Sequence, residues 1–407
     1  MPGPLSHIRV LDLSRVLAAP WTGQNLADLG AEVIKVERPL KGDDSRAFGP
    51  PWLKDGDGRD TAESAYFAAA NRGKKSITLD LSNPEAQRIA RQLVARSDVL
   101  LENYKYGDLA RYGLGYDDLK AGHPRLIYCS VTGFGHSGPY RERPGYDFMI
   151  QGMGGLMSVT GERDDLPGGG PQRVGVPIVD MMTGMYASIA VCAALAHRAE
   201  TGVGQHLDLA LLDTQVAFLA NQAMNYLATG ETPLRTGNAH PSIVPYQTFN
   251  TADGAIILAC GNDNLFRKFC AAAGCMQLAR DERFATNAKR VAHRAQITEV
   301  IARVFRQRTT REWVELLEAA GVPSGPINSI KQVFEEPQVA ARGMRIDLPH
   351  PSAGRVPLVA SPMRFSATPI EYKLPPPTLG QHTEEVLRDV LGMDAAAIAK
   401  LRGTHVV

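Results

Sequence analysis

Near the start of the chain a strand, a helix and a second strand follow one another closely, and this unit constrains the fold more than any other feature. Ile8–Leu13 is a short apolar run with β-branched residues, which is typical of a buried strand. Ala19–Leu29 has apolar residues at helical spacing and stops at Gly30, and Ala31–Glu37 again has the pattern of a strand. Two strands joined through a helix lie parallel in one sheet. The sequence therefore predicts a parallel sheet with right-handed crossovers.

The same alternation continues as far as residue 229. Further strands are predicted at 76–81, 98–102, 126–132 and 205–211, and further helices at 84–96, 116–121 and 180–199. Asn83 and Pro84 suit the cap and the first position of a helix. We therefore predict a doubly wound α/β fold for this part of the chain.

The pattern changes after Gly230. A hairpin is predicted from strands at 246–250 and 255–260, followed by helices at 264–273, 294–306 and 310–320. We predict a large α/β domain whose N-terminal part is 1–229, a small α+β domain at 230–330, and a C-terminal part at 331–407 that returns to the large domain.

Composition and charge argue against several classes of protein. The formal net charge is +1, whereas nucleic-acid binders usually have a marked basic excess. The five cysteines are too few and too irregularly placed for a disulfide scaffold, and without a Cys-x-x-Cys pair the usual signal of a zinc site is missing. The first residues do not resemble a secretory signal, and the most apolar stretch, 181–197, is interrupted by glycine and hydroxyl residues. We expect a cytoplasmic protein that binds neither membranes nor nucleic acid.

Common catalytic motifs are missing from the sequence. The turn at 12–20 has no glycine, which disfavours a nicotinamide dinucleotide site, and Gly168–Gly170 lacks the Gly-Lys-Ser/Thr of a phosphate-binding loop. There is no His-x-x-x-His pair for a metal and no Gly-x-Ser-x-Gly turn for a serine hydrolase. His240, in a turn-rich loop, is by pattern alone most simply structural or exposed.

Basic residues cluster near the predicted strand ends. They are Arg15, Arg38, Arg72, Lys74, Lys75, Lys105 and Arg111. Ligands of open α/β sheets bind at the carboxyl ends of strands, where a group of cations would suit phosphates. The alternative is ordinary solvated surface charge.

Asp180 stands at the head of a largely apolar predicted helix. It can cap the helix, because Asp is a preferred capping residue. It can also be a carboxylate in an apolar wall that attacks an activated acyl group. The pattern leaves both roles open.

Several stretches together carry a family resemblance. They are Val10–Pro20, Leu26–Glu37, Asn71–Ser76, Glu102–Tyr104, Gly133–Gly135, Arg143–Asp147, Asp180–Met185 and Leu379–Leu387. The sequence resembles the class III CoA-transferases, also called the formyl-CoA transferase and carnitine CoA-transferase family. The resemblance implies a Rossmann-like large domain formed by both chain ends, an inserted small domain, and a dimer of two interlocked subunits.

The resemblance also implies roles for particular residues. Asp180 corresponds to the nucleophile of the family, and Tyr146 and Asp147 are expected near the reacting centre. CoA, a substrate rather than a tightly bound cofactor, is expected to contact Val16, Ala18, Arg38, Lys75, Asn103 and Arg111. The implied mechanism passes through an aspartyl anhydride and an aspartyl-CoA thioester, with the Gly237–Ala239 loop as candidate oxyanion site.

Departures from the family pattern bear on the substrate. Leu17 stands where formyl-CoA transferases have glutamine, which disfavours a small acid such as oxalate, and Tyr106 replaces a frequent proline. The stretches 243–247 and 321–328 resemble transferases that use dicarboxylates, so succinyl-CoA and glutarate or itaconate are the expected substrates. His240 and Tyr246 are candidates to bind the acid.

Two alternatives remain at this point. A 2-methylacyl-CoA racemase needs a histidine base where this chain has Tyr146, and an unperturbed tyrosine is a poor base at neutral pH. A CoA-binding protein without activity would bind CoA and show no turnover. We expect a transferase.

Overall fold

The computed structural model describes residues 2–407, whose contacts divide the chain into two compact units. The first comprises the described residues up to Leu156, Val174–Met224 and Ala340–Val407. The second comprises Met157–Arg173 and Asn225–Val339. This division differs from the predicted boundaries at 230 and 330, and it adds a segment that the sequence pattern had left with the first domain.

The secondary structure includes thirteen strands and eighteen α-helices among the described residues. The strands are β1 (Arg9–Asp12), β2 (Glu32–Glu37), β3 (Trp52–Lys54), β4 (Asp60–Ser64), β5 (Lys74–Thr78), β6 (Val99–Glu102), β7 (Ile127–Thr132), β8 (His206–Ala210), β9 (Tyr246–Asn250), β10 (Ala255–Ala259), β11 (Ser324–Pro326), β12 (Arg345–His350) and β13 (Gly354–Val359). The helices are α1 (Ala18–Asp28), α2 (Ala65–Ala69), α3 (Pro84–Val94), α4 (Tyr116–Leu119), α5 (Asp147–Met153), α6 (Leu156–Val159), α7 (Ile178–Thr201), α8 (Leu211–Phe218), α9 (Ala220–Thr229), α10 (Asp263–Ala272), α11 (Met276–Arg280), α12 (Asn287–Ala292), α13 (Arg294–Phe305), α14 (Thr310–Ala319), α15 (Ile330–Glu335), α16 (Pro337–Ala341), α17 (Thr383–Leu391) and α18 (Ala395–Gly403).

Six strands of the first unit form one parallel sheet in the order β5-β2-β1-β6-β7-β8. Its inner strands are apolar on both faces, as in Val10, Leu11 and Leu100, because helices cover both sides. The predicted α/β fold with a parallel sheet is confirmed. From β1 the chain continues to β2 on one flank of the sheet, and from β6 it continues to β7 on the opposite flank. At such a switch point the loops after the two central strands border a crevice.

Helix α7 packs closely on α1. A Cβ atom at Gly184 would lie 2.5 Å from the carbonyl oxygen of Ala18, so only glycine permits this approach. By length and composition alone α7 could cross a membrane, contrary to the expectation from its interrupted apolar run. In the structure its buried side chains, including Val179 and Val191, belong to the core of the first unit.

The C-terminal stretch 379–387 covers the edge of β5. The His382 N–H donates to the Ser76 carbonyl at 2.8 Å, and the Thr383 hydroxyl accepts from the Thr78 N–H at 3.1 Å. An uncovered edge strand would offer unpaired backbone groups to other chains. This stretch therefore pairs backbone groups of β5 that no neighbouring strand pairs.

The second unit contains the antiparallel sheet β11-β10-β9. Strands β9 and β10 form the predicted hairpin, which is confirmed. Phe249, Phe305 and Trp313 pack in its core, with ring centroids 5.0 and 4.8 Å apart. All five cysteines are free thiols, and three of them lie in this core.

Candidate active site

Asp180 lies in the first turn of α7, which begins two residues earlier, at Ile178. The carboxylate that binds the free N–H groups of this turn belongs to Asp147 of α5. It accepts from the N–H of Val179 at 2.7 Å and from that of Asp180 at 3.2 Å. The interpretation of Asp180 as the helix cap is therefore wrong, and its side chain is free for another role.

The buried Asp147 is held in turn by Gln151. The Gln151 side-chain amide donates to the Asp147 carboxylate at 2.6 Å, and its oxygen accepts from the Val174 N–H at 2.9 Å. Both oxygens of the Asp147 carboxylate thus accept from donors within the unit. It fixes the start of α7 and, with it, the position of Asp180.

The carboxylate of Asp180 is largely buried, and within residues 2–407 it has no ion-pair partner and no hydrogen-bond donor. Burial, followed by the charge of Asp147, raises the pKa of Asp180 to about 7. A carboxylate that is poorly solvated and lacks donors is more nucleophilic than one in water.

This environment predicts a pH dependence. The resemblance implies that Asp180 attacks an acyl-CoA thioester, which only the ionised carboxylate can do. On that expectation kcat/KM for acyl-CoA rises with pH through an apparent pKa near 7. Asp147→Asn removes the neighbouring charge and is expected to move this limb to lower pH, whereas Asp57→Asn, at an exposed turn, leaves it in place. A pH profile of initial rates measures both variants. An unchanged limb in Asp147→Asn would contradict the assignment of this limb to Asp180.

A cavity of about 160 Å³ opens beside Asp180 at the carboxyl end of the sheet. Its lining includes four residues expected from the resemblance, together with the two that depart from the family pattern. These are Val16, Ala18, Asn103 and Tyr146, with Leu17 and Tyr106. The structure thus brings half of the other expected site residues of the first unit to the same cavity as Asp180.

Two glycines of this cavity permit a close approach of backbones. A Cβ atom at Gly133 would lie 2.6 Å from the Cα atom of Gly145. A side chain at either glycine would displace the backbone at the other. This contact explains the glycines of the stretches 133–135 and 143–147 in physical terms.

A second cavity, of about 390 Å³, shares Arg15 and Tyr104 with the first and is also lined by Arg38. Asp44 joins the two arginines, at 2.8 Å from each guanidinium. Arg111 does not line this cavity but pairs with Asp108, which does. Arg38 and Arg111 are both exposed enough to meet a ligand.

Other predicted cations are not part of this group. Lys75 pairs with Glu32, at the start of β2, at 2.9 Å and with Glu385 at 2.8 Å, so it lies away from both cavities. The structure therefore does not bring Lys75 to the other expected CoA contacts.

Two further cations are structural. Lys74 is fully buried, 2.9 Å from the Asp12 carboxylate, and burial lowers the pKa of Lys74 to about 8. Arg72 donates to Asp28 at 2.9 Å with both side chains buried. The expectation that these side chains belong to a phosphate-binding group is corrected, because each is consumed by a buried carboxylate.

His240 and Tyr246 lie in the second unit and contact each other. The His240 N–H donates to the Tyr246 carbonyl at 2.9 Å, and their rings meet edge to face at 5.4 Å. In the neighbouring Gly237–Ala239 loop the Ala239 N–H donates to the Thr236 carbonyl at 3.1 Å. The proposed oxyanion role of this loop can therefore involve only its other N–H groups.

Sequence reasoning missed three residues near Asp180. Arg141 and Arg143 line its cavity, with guanidinium carbons 4.8 Å from the Tyr106 ring and 4.4 Å from the Tyr140 ring. Tyr66 is close enough that, after burial, the Asp180 charge is the next cause raising its pKa, to about 12. Arg143 stood in a resembling stretch, whereas Tyr66 had no signal in its alanine-rich surroundings.

Comparisons with known proteins give one consistent result. The model of the family described as CoA-transferase family III matches residues 5–383. A succinate–glutarate CoA-transferase of Agrobacterium fabrum is 49% identical over 394 residues, 97% of either chain. The human succinyl-CoA:glutarate CoA-transferase is 42% identical over 404 residues, 99% of this chain and 90% of that protein.

A solved structure is similar throughout. The crystal structure of a CAIB/BAIF family protein from Brucella suis superposes with a TM-score of 0.84 at 49% identity, covering 96% of this chain and all of the other. Within residues 2–407 no group of three or more His, Cys, Asp or Glu side chains is arranged to hold a metal ion.

Proposed function

The chain belongs to the CoA-transferase family III, and we propose that it moves CoA from succinyl-CoA to a short dicarboxylic acid such as glutarate or itaconate. It is an enzyme of this class. The activities named for the relatives, succinate–glutarate and succinyl-CoA:glutarate CoA transfer, support the choice of acids.

We propose a covalent mechanism on Asp180. Its carboxylate attacks the thioester carbonyl of the donor and expels CoA thiolate, which leaves a mixed anhydride. The thiolate attacks the aspartyl carbonyl, releases the donor acid and forms an aspartyl-CoA thioester. The acceptor carboxylate then attacks this thioester, and the returning thiolate takes the acceptor acyl group and frees Asp180. No net proton is consumed, and one hard exchange becomes four acyl transfers.

The environment of Asp180 is the observation that carries this proposal. A carboxylate with a pKa of about 7 and no donor among residues 2–407, at the wall of a cavity, has its charge poorly stabilised before reaction. Attack on an acyl group disperses that charge into the substrate, so burial favours the reaction over the resting state. A purely structural Asp at this position would be expected to cap α7, and Asp147 does so instead.

The cavity bordered by Arg15 and Arg38 is our candidate for the nucleotide end of CoA. It lies where the chain leaves β1 and β2, at the carboxyl ends of the strands. The arginines share one carboxylate, that of Asp44, and therefore retain donors for phosphate oxygens. Val16, Ala18 and Asn103 border the adjoining cavity, where the thioester end would lie next to Asp180.

CoA anchoring gives a testable expectation. Arg38→Ala is expected to raise KM for succinyl-CoA about tenfold with little change in kcat, because Arg38 would contact a part of CoA that does not react. Lys41→Ala removes an exposed cation of the same loop as a matched control. Lys75→Ala distinguishes the two placements of CoA. The resemblance predicts an increase in KM like that of Arg38→Ala, whereas the geometry predicts a smaller increase. Steady-state kinetics at fixed glutarate measures all three, and an unchanged KM in Arg38→Ala would refute this placement.

We also propose the Rossmann-like description and the interlocked homodimer. The strand order, with the crevice between β1 and β6, supports the first. Helices α7 and α8 leave Tyr186, Ile189 and Val216 exposed by 42, 62 and 52%, an apolar surface that a second subunit would cover.

Incubation of the purified protein with succinyl-CoA and a panel of carboxylic acids tests the function. Mass spectrometry is expected to show new acyl-CoA esters of short dicarboxylates. The racemase alternative predicts exchange of the α-proton in deuterated water without an acceptor acid, and a protein that only binds CoA predicts no new ester.

A further inference from the structure

Val16 has a backbone conformation that its side chain disfavours. Its φ angle is +69°, in the left-handed region, where the Cβ atom of an L-residue crowds the backbone and a β-branched side chain is least tolerated. Such a conformation persists only where the surroundings hold it. Val16 and the two residues that follow it, Leu17 and Ala18, line the cavity beside Asp180.

The carboxylate of Asp43 holds this conformation. One oxygen accepts from the Val16 N–H at 3.0 Å, and from the N–H and hydroxyl of Ser45 at 2.9 and 2.8 Å. The other oxygen is 2.8 Å from the Lys35 ammonium, and both of these side chains are at most 1% exposed. Lys35 also donates to the Ser14 carbonyl at 2.8 Å. The Asp43–Lys35 ion pair therefore binds two backbone groups of this turn, the Ser14 carbonyl and the Val16 N–H.

The charge of Asp43 is permanent in the working range of pH. Burial alone would raise the pKa of Asp43, but the Lys35 charge and the donated hydrogen bonds outweigh it and hold this pKa well below its usual range. Asn103 fixes the backbone of Arg15, which lies between Ser14 and Val16. Its side chain accepts from the Arg15 N–H at 2.8 Å and donates to the Arg15 carbonyl at 2.7 Å.

We propose that Asp43 is a positioning residue that keeps Val16 left-handed and thereby places Leu17 and Ala18 on the wall of the Asp180 cavity. This inference rests on the proposed function of that cavity. Without the acceptor, Val16 relaxes toward negative φ, and the peptide groups that follow it change their position relative to Asp180.

A double-mutant cycle tests the proposal. Asp43→Ala removes the acceptor of the Val16 N–H and is expected to lower kcat/KM for succinyl-CoA about tenfold to a hundredfold. In the Val16→Gly background the same change is expected to cost about threefold or less, because glycine adopts positive φ without a Cβ penalty. Ser45→Ala removes another donor of the same oxygen and is the matched control, with activity retained.

Thermal unfolding separates positioning from stability. Asp43→Ala removes the carboxylate that pairs with Lys35 in either background, so the loss of Tm is expected to persist while activity recovers in Val16→Gly. Equal effects of Asp43→Ala in both backgrounds, or full activity of Asp43→Ala, would overturn the proposal. If Asp43→Ala does not fold, Asp43→Glu keeps the charge, displaces the Val16 contact and must show the same cycle.

Asp180→Asn, assayed in parallel, keeps the two proposals distinguishable. Activity in Asp180→Asn would refute the proposed site itself. An inactive Asp180→Asn together with an active Asp43→Ala would refute only the positioning role.

Discussion

Asp180→Ala and Asp180→Asn are expected to lower CoA transfer by at least about a thousandfold, because the covalent route is lost with its nucleophile. The fold is expected to survive, since the start of α7 is capped by Asp147 and the Asp180 side chain makes no hydrogen bond within residues 2–407. Circular dichroism and thermal unfolding check the fold, and initial rates with succinyl-CoA and glutarate check the activity.

The intermediate on Asp180 can be trapped directly. Native enzyme mixed with succinyl-CoA in the absence of an acceptor is expected to carry a CoA thioester, which hydroxylamine converts to an aspartyl hydroxamate on the peptide containing Asp180. Asp180→Asn should show neither product, while Asp147→Asn, which keeps the nucleophile, should show both. Substantial turnover by Asp180→Ala, or an adduct on another residue, would end the covalent hypothesis.

The parallel sheet could be predicted because its strands are buried on both faces and appear as short apolar runs, as in Val10–Leu11 and Leu100–Leu101. The cap of α3 could be predicted as well, and it is confirmed by the Glu85 N–H, which donates to Asn83 at 2.8 Å. Both signals are local. In contrast, the hairpins β3–β4 and β12–β13 were missed, because their half-exposed strands mix charged residues and proline with few apolar ones.

The site could be predicted only in part, because distant residues decide what each side chain does. Asp180 at the head of an apolar helix is a plausible cap until Asp147, on another helix, is seen to occupy that role. Lys74 and Arg38 are indistinguishable as cations near strand ends. Lys74 is paired in the interior with Asp12, 62 residues away in the sequence, whereas Arg38 keeps an exposed guanidinium. No local sequence pattern contains that difference.

The cations around Asp180 support a dicarboxylic acid as the acceptor. Arg143 lines the cavity, its guanidinium carbon is 4.4 Å from the Tyr140 ring and 5.5 Å from the Phe134 ring, and it has no carboxylate partner within residues 2–407. Arg141 is only loosely paired, at 3.7 Å from an exposed Glu142. A cavity that presents such guanidinium groups beside the nucleophile suits an acid with a second carboxylate.

Glutarate is therefore expected to exceed butyrate as acceptor by about a hundredfold or more in kcat/KM, because a site built for a charged group loses its contacts when that group is missing. In a mechanism that passes through the aspartyl-CoA thioester, kcat/KM for the acceptor reports only the second half of the reaction. The choice of donor therefore does not affect the ratio of kcat/KM for glutarate to that for butyrate. Equal efficiency with butyrate and glutarate would refute the dicarboxylate assignment and leave the transferase mechanism intact.

Arg143→Gln is expected to lower kcat/KM for glutarate about tenfold to a hundredfold and to leave that for butyrate nearly unchanged, since only the dicarboxylate loses an ion pair. Arg88→Gln, which removes an exposed arginine of α3, is the matched control. His240→Ala and Tyr246→Phe test the residues that the family resemblance implies for the same acid. A loss confined to these two variants would transfer the carboxylate site to the second unit. An equal loss for both acids in Arg143→Gln would show that this residue serves CoA, because every acceptor depends on CoA alike.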